Sequence, residues 1–388
     1  MAAWTTTPQV TLRAVPGRST SRLFNASGRA RELRASPLFA IGPSEPGPAI
    51  RRGALLAVPI GLALIVELGF DAPTKGAIAA GALINGFPGM DAPAKPRAGW
   101  QAATAPFIGI AACLGVLSSQ TGPTAALALG LCGLLAGYCF AVSLRLAIVG
   151  LSVTLAMLIA QGLFLPAGDA DAALLWGTIG ALTQVAWSLV VWLAVDRATD
   201  EPEKAWDARA ATAALRANLT LGSTSARHAI RFGAALAAGV ATYRLLDLHE
   251  HGFWIPLTIL FVMRPDRGET DHRLILRALG TVLGLTVATA VAEAFGGDDL
   301  VLGSVLTVAA ALSFGLLTVQ YALFTAAITT YVVLMSSTLG EGAFRAAGQR
   351  ATGTALGILI AFLLWRAWPN RRSSLDLAGQ PNLGGVES

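Results

Sequence analysis

Arginine carries the chemistry this sequence offers. Arg264, Arg267, Arg273 and Arg277 crowd a single stretch, HGFWIPLTILFVMRPDRGETDHRLILRALGTVLG, at residues 251–284. A guanidinium stays charged at physiological pH and presents a planar fork of donors that fits both oxygens of a carboxylate, which a lysine ammonium does not. Arg277 opens the phrase RALGTVLG, and the phrase returns as RATGTALG from Arg350. Met263, Gly268, Glu269 and Arg273 are likewise echoed by Met335, Gly340, Glu341 and Arg345, with one residue inserted before Arg350. An ordered series of unlike residues is an internal repeat. Arg277 and Arg350 are therefore the candidate anion contacts, with Thr281 and Thr354 at the same step of each phrase. Arg264 and Asp266 flank Pro265 in a charged elbow suited to a gate, and Trp254 offers a face for an aromatic ligand.

Proton chemistry would fall to carboxylates. Glu67 and Glu293 lie within long apolar runs, where an ionisable group is costly to keep and points to a pathway. With Asp266 they are the candidate proton carriers. The chain has no phosphate-binding P-loop, no G-x-S-x-G elbow, no HExxH and no nucleophile with a base, so ATP-driven transport and enzymatic catalysis are not expected. Cys113, Cys132 and Cys139 lack metal or disulfide spacing, and His249 and His251 form an isolated H-x-H in a polar loop. No metal, cofactor or nucleic-acid partner is expected.

The elements that position these residues are apolar helices. The chain has 388 residues and is 54% hydrophobic but only 13% charged, which excludes an ordinary soluble domain. In lipid every backbone N–H and C=O must be satisfied within the segment, so each apolar run folds as a helix. Windows fall at 53–70, 74–88, 99–118, 123–142, 145–166 and 172–195, then at 228–247, 251–265, 274–295, 299–317, 319–337 and 348–367. The organisation expected is a 1–50 cytoplasmic tail, a first membrane half at 51–195, a 196–224 linker with a short surface helix, a second half at 225–368 and a tail at 369–388. Within the elbow, Pro265 ends a helix because it has no N–H to give and disfavours a helical residue before it. The spaced glycines of the repeated phrases let another helix approach closely.

With a cytoplasmic N-terminus, every Lys and Arg except Lys75, Arg244, Arg345 and Arg350 falls on the cytoplasmic side, the bias expected for cytoplasmic segments. Three windows separate the two phrases, so the units that carry them are inverted relative to each other. The reading is an all-α polytopic membrane protein of about twelve spans in two six-helix halves, each half built from two inverted three-helix units. Inverted units place a ligand site near the midplane, where they meet. Lys75-Gly76 and Pro88-x-x-Asp91 echo His251-Gly252 and Pro265-Asp266 and suggest that the halves themselves are related.

The His251-Gly252-Phe253-Trp254-x-Pro256-Leu257-Thr258 entry, the Arg264-Pro265-Asp266 elbow and the Arg277-x-x-Gly280-Thr281-x-x-Gly284 exit resemble the fusaric acid resistance family of bacterial inner-membrane proteins. That family is similar to aromatic carboxylic acid efflux proteins and, more distantly, to plant aluminium-activated malate channels. The resemblance implies a plasma-membrane transporter, with both termini cytoplasmic, that exports organic or aromatic carboxylates with proton coupling. A periplasmic adaptor protein and a homo-oligomer are the partners it implies, besides the acid and the bilayer. Passive conduction and a non-transporting scaffold are the alternatives. Many members carry a soluble domain between their halves, which this chain replaces with about 30 residues, so roles assigned to that domain do not transfer.

Overall fold

The computed structural model describes residues 45–69, 76–196, 207–248, 252–295, 298–338 and 343–367. The expected tail at 369–388, residues 1–44 of the expected 1–50 tail, Lys75, the His249–His251 pair and Glu341 lie outside them, whereas residues 46–50, expected in that tail, are helical. The described residues form thirteen α-helices and no strand: α1 (Pro46–Gly69), α2 (Ala77–Gly86), α3 (Ala94–Ser118), α4 (Gly122–Cys139), α5 (Leu144–Gly162), α6 (Ala170–Val191), α7 (Ala208–Ala217), α8 (Thr224–Leu245), α9 (Trp254–Val262), α10 (Arg267–Phe295), α11 (Asp299–Leu316), α12 (Tyr321–Thr338) and α13 (Ala343–Ala367). Eight of them, α1, α3 to α6, α10, α11 and α13, are long and apolar enough to cross a membrane. The chain is a multi-pass membrane protein.

Local signals set the ends. The side chains of Thr121, Ser143, Asp207, Ser223 and Asp298 accept backbone N–H groups at the starts of α4, α5, α7, α8 and α11, which meets donors a helix leaves unpaired. Helix α9 stops at Val262, and Met263 is extended two residues before Pro265, as the residue types require. Leu62, Ile65, Leu131, Leu135, Val282 and Leu363 point outward, an apolar belt that lipid would cover.

Two helices are shorter than the sequence windows. Windows 74–88 and 251–265 become α2 of 10 residues and α9 of 9, which rise only about 15 and 14 Å against about 30 Å of hydrocarbon. Gly76 (φ 84°) and Gly89 (φ 67°) turn the chain at the two ends of α2, and Gly252 and Pro265 bracket α9. Neither crosses a bilayer alone. Both are enclosed by other helices, with seven residues of α2 and eight of α9 buried, so their ends are shielded from lipid as irregular backbone must be.

Across the halves, α1 packs on α11 and α4 packs on α8. Within the second half, α9 packs on α13 and α10 on α12. Those last two contacts correspond closely. A Cβ on Gly284 of α10 would meet Ala326 O at 2.5 Å and Thr329 Cβ at 2.7 Å, and a Cβ on Gly357 of α13 would meet Ile255 O and Thr258 Cβ, both at 2.7 Å. Each Arg-bearing helix thus presses a glycine of its phrase against a threonine-bearing helix from the other copy.

Candidate anion site

Arg277 and Arg350 are both fully buried, at 0% exposure. None of their six nitrogens meets a well-aligned hydrogen-bond partner among the described residues, and Arg277 has only the Tyr321 oxygen within looser hydrogen-bonding range. The Arg277 guanidinium carbon lies 5.3 Å from the Phe261 ring and that of Arg350 lies 4.5 Å from the Trp254 ring. A ring face meets part of a cation's need in cation–π contact but leaves its in-plane N–H groups unsatisfied. The two guanidinium groups are within electrostatic reach of each other and of the Tyr321 hydroxyl. Tyr321 gives its proton to Phe261 O at 3.0 Å, so its oxygen faces the cations as a dipole and cannot neutralise them.

Unpaired hydroxyls lie on the same helices and on the helices packed against them. The side chains of Thr258, Thr281, Thr325, Thr329 and Thr354 and the Trp254 indole N–H are buried without a hydrogen-bond partner. They fall into two wings: Thr281 on α10 with Thr325 and Thr329 on α12, and Thr354 on α13 with Trp254 and Thr258 on α9. Glycine makes each wing possible. Gly280 abuts Thr325 and Ala322 O, and Gly353 abuts the Trp254 side chain, closer than a Cβ would allow. A buried unmet donor costs about 1–3 kcal/mol, more when charged, and an isolated cation in an apolar medium costs far more. What such a cluster can do chemically is hold an anion, with two forks for charge and hydroxyls for the remaining oxygen lone pairs.

The other expected residues stand apart from this pair. Arg264 is 8% exposed at the elbow, where its Nη1 donates to Met263 O at 2.9 Å and its Nε lies 3.7 Å from Glu269. Asp266 is exposed and accepts the Glu269 N–H at 2.8 Å, capping α10. Glu67 is buried, but its carboxylate oxygens accept from Ile78 N at 2.9 Å and Ala79 N at 3.2 Å. It caps the first turn of α2, where the helix dipole favours negative charge. Glu293 is exposed near the end of α10.

Residues 234–364 match the family described as fusaric acid resistance protein-like. The chain is 38% identical over 152 residues to Inner membrane protein YccS of Escherichia coli, covering 37% of this chain and 20% of that protein. It is 32% identical over 159 residues to Uncharacterized protein ORF2 of Neisseria gonorrhoeae, covering 40% and 38%. It is also 31% identical over 123 residues to Uncharacterized protein slr1298 of Synechocystis, covering 32% and 16%. The chain spans well under half the length of each of these relatives. No solved structure matches it.

The matched region, residues 234–364, contains the whole arginine pair and both threonine wings. On the α9–α13 side it also carries a cleft of ≈ 590 Å³, lined by Leu248, Gly252, Ile255, Gln349 and Gly353 among others. Gly353 borders the cleft and also abuts Trp254, the ring beneath Arg350. Sequence reasoning missed Thr258, Thr325, Thr329, Tyr321 and Phe261. The available signal was that Ile255 and Thr258 recur as Ala326 and Thr329 at a spacing of 71, out of step with the 73 that relates Arg277 to Arg350.

A second missed residue lies just before the family-matched region. His228, in the second turn of α8, is fully buried and neither ring nitrogen has a hydrogen-bond partner. Its ring meets Phe140 edge-on at 5.2 Å and stacks on Phe232 at 5.6 Å. The first half differs in kind. There Asn85 donates to Gln101 O and Ala181 O, Ser188 donates to Gln101 Oε1 at 2.7 Å, and Gln184 donates to Leu56 O. Gln161 likewise bonds Ser118 and Ala125 O. These amides tie helices together.

Proposed function

We propose that this chain is an inner-membrane transporter, not an enzyme, and that it moves organic or aromatic carboxylate anions outward through the second half, with Arg277 and Arg350 as the central anion contacts. The observation that carries the reading is the burial of two guanidinium groups with no negatively charged partner among the described residues. Arginine does not shed its proton in proteins, so the two charges need an anion, and a carboxylate supplies the matching oxygens. The inverted arrangement of the two units expected from the sequence is part of this reading. Arg277 sits about 15 Å along α10 and Arg350 about 10 Å along α13. If those helices enter from opposite faces, both forks lie near the midplane, where inverted-repeat transporters bind their ligands. The paired glycine–threonine crossings and the two short enclosed helices, α2 and α9, fit the same architecture.

The printed name of the Escherichia coli relative, an inner membrane protein, supports the location. A cytoplasmic placement of both termini rests on the distribution of Lys and Arg. A periplasmic adaptor and self-association remain the expected partners. Passive conduction is the second reading, and one observation favours it: Glu67 and Asp266 are engaged as helix caps and Glu293 is exposed, so none of the three carboxylates faces the arginine pair.

The deciding experiment is efflux of labelled benzoate from vesicles containing the purified protein. Wild type is expected to release it, and Arg277→Gln or Arg350→Gln to slow release about ten-fold or more, because a charge-assisted bond contributes about 1.5–3 kcal/mol. Flux that is absent in wild type, or unchanged in the inserted double variant, overturns the reading. Currents that reverse at the anion equilibrium potential and ignore pH would select the passive form.

A further inference from the structure

The two short enclosed helices start differently. Helix α2 follows Gly76, packs on α1 and opens under a carboxylate of its own chain, with Glu67 accepting the Ile78 and Ala79 N–H groups. Helix α9 follows Gly252 and Phe253, packs on α8 and stands 176 residues further on, at the spacing that relates Lys75-Gly76 to His251-Gly252. At that spacing Glu67 becomes Tyr243, and Ile78 becomes Trp254. Tyr243 is fully buried with its ring against Gly252. The Phe253 side chain gives α9 no cap, and while Ile255 N bonds Gly252 O at 3.0 Å, the Trp254 N–H meets no acceptor among the described residues. The second half thus keeps the short helix and replaces its carboxylate with an aromatic ring.

A cavity lies at that start. The cleft of ≈ 590 Å³ is bounded by Gly252 and Ile255 of α9 and by one face of α13 that carries Gly348, Gln349 and Gly353, and its size falls in the range of about 300–1,000 Å³ usual for small-molecule sites. Gly348 has open space where a side chain would stand. Two buried polar atoms at the cleft have no hydrogen-bond partner: Gln349 Oε1 in its lining, and the indole N–H of Trp254, a residue 1% exposed whose side chain abuts Gly353. The acid and the base of the lining, Asp247 and Arg345, balance in charge and each have interactions of their own. A helix start favours negative charge and turns N–H donors toward it, a preference that Glu67 meets in α2. From the paired helices and the cavity we infer that the cleft binds a small organic carboxylate. Its carboxylate lies at the start of α9 as that of Glu67 lies at the start of α2, the Trp254 indole supplies a further donor, and the apolar part of the acid rests against Leu248, Ile255 and Phe344. This site is distinct from the arginine pair. It gives the transport reading a station on the α9–α13 side, but binding there does not require that the chain transports.

The test reads protection of a thiol. In the full chain with Cys113, Cys132 and Cys139 replaced by serine, Gly348→Cys places one thiol in the open space of the cleft, and its rate of reaction with a maleimide is followed in detergent. Benzoate at about ten times its dissociation constant is expected to slow that rate about ten-fold by mass action. Benzamide, which has nearly the same shape without the charge, should leave the rate unchanged. Tyr243→Glu, which returns to the second half the carboxylate that Glu67 gives the first, should abolish the protection while the thiol still reacts. No protection by benzoate, equal protection by benzamide, or protection that survives in folded Tyr243→Glu overturns the inference. Should Tyr243→Glu fail to fold, labelled benzoate is counted by equilibrium dialysis on the Gly348→Cys protein before and after its thiol is capped with a bulky maleimide. Capping is expected to remove one equivalent of benzoate, and an unchanged count overturns the proposal. Vesicle efflux judges the transport reading separately, and neither result decides the other.

Discussion

Arg277 and Arg350 differ from most buried cations in having nothing negative bonded to them among the described residues, so their geometry matters as much as their charge. Lysine at either place keeps the charge but loses the fork and the flat contact with Phe261 or Trp254. Arg277→Lys and Arg350→Lys are each expected to cut benzoate efflux about ten-fold, roughly 1.4 kcal/mol, without changing insertion. Initial rates in vesicles check this. Glu67 tests the opposite case. Glu67→Gln replaces a carboxylate that holds Ile78 N and Ala79 N with a weaker acceptor. It is expected to cost about 1 kcal/mol of stability, visible as a lower melting temperature, with the pH profile of transport unmoved. The arginine pair was legible in the sequence because a repeated phrase carried it. The caps were not, since a glutamate in an apolar run looks the same whether it faces a pathway or the first turn of a neighbouring helix. His228 had no periodic companion at all, and only packing showed that it is enclosed.

Among the elements, α9, α10, α12 and α13 do the positioning, and glycine decides how closely they meet. Gly284→Ala and Gly357→Ala put a methyl group into backbone and threonine on the partner helix. Both should destabilise by about 1–3 kcal/mol and to a similar extent, because the crossings are alike. Gly348→Ala on α13 has open space around it and should be neutral or raise stability by up to about 1 kcal/mol through helix propensity. Melting of the three variants in one detergent checks the ordering. The helices themselves were readable from apolar runs. The lengths of α2 and α9 were not, because hydropathy continues through Phe87 and Phe253 while Gly89, Gly252 and Pro265 break the helix. Thr258 and Thr329 escaped for a related reason: the repeat spacing drifts from 71 through 72 to 73 between α9 and α10 and their counterparts, and the threonines align only at its start.

Across the whole molecule, orientation is the open physical quantity that the distribution of basic residues predicts. Single cysteines at Gly268 and Arg345, in a background where Cys113, Cys132 and Cys139 are replaced by serine, should react with an impermeant thiol reagent from opposite faces of the membrane. Gly268→Cys is expected to label from the cytoplasm and Arg345→Cys from outside; labelling of both from one face would remove the inverted arrangement. Gly284 on the Arg277 helix accommodates Thr329 of the second unit, and Gly357 on the Arg350 helix accommodates Thr258 of the first. Neither unit therefore owns a finished wall. A chain severed at residues 296–297, between α10 and α11, leaves two fragments that each hold what the other lacks. Such pieces should find one another when synthesised apart, and injury to either glycine should appear as failed complementation long before either fragment becomes unstable by itself.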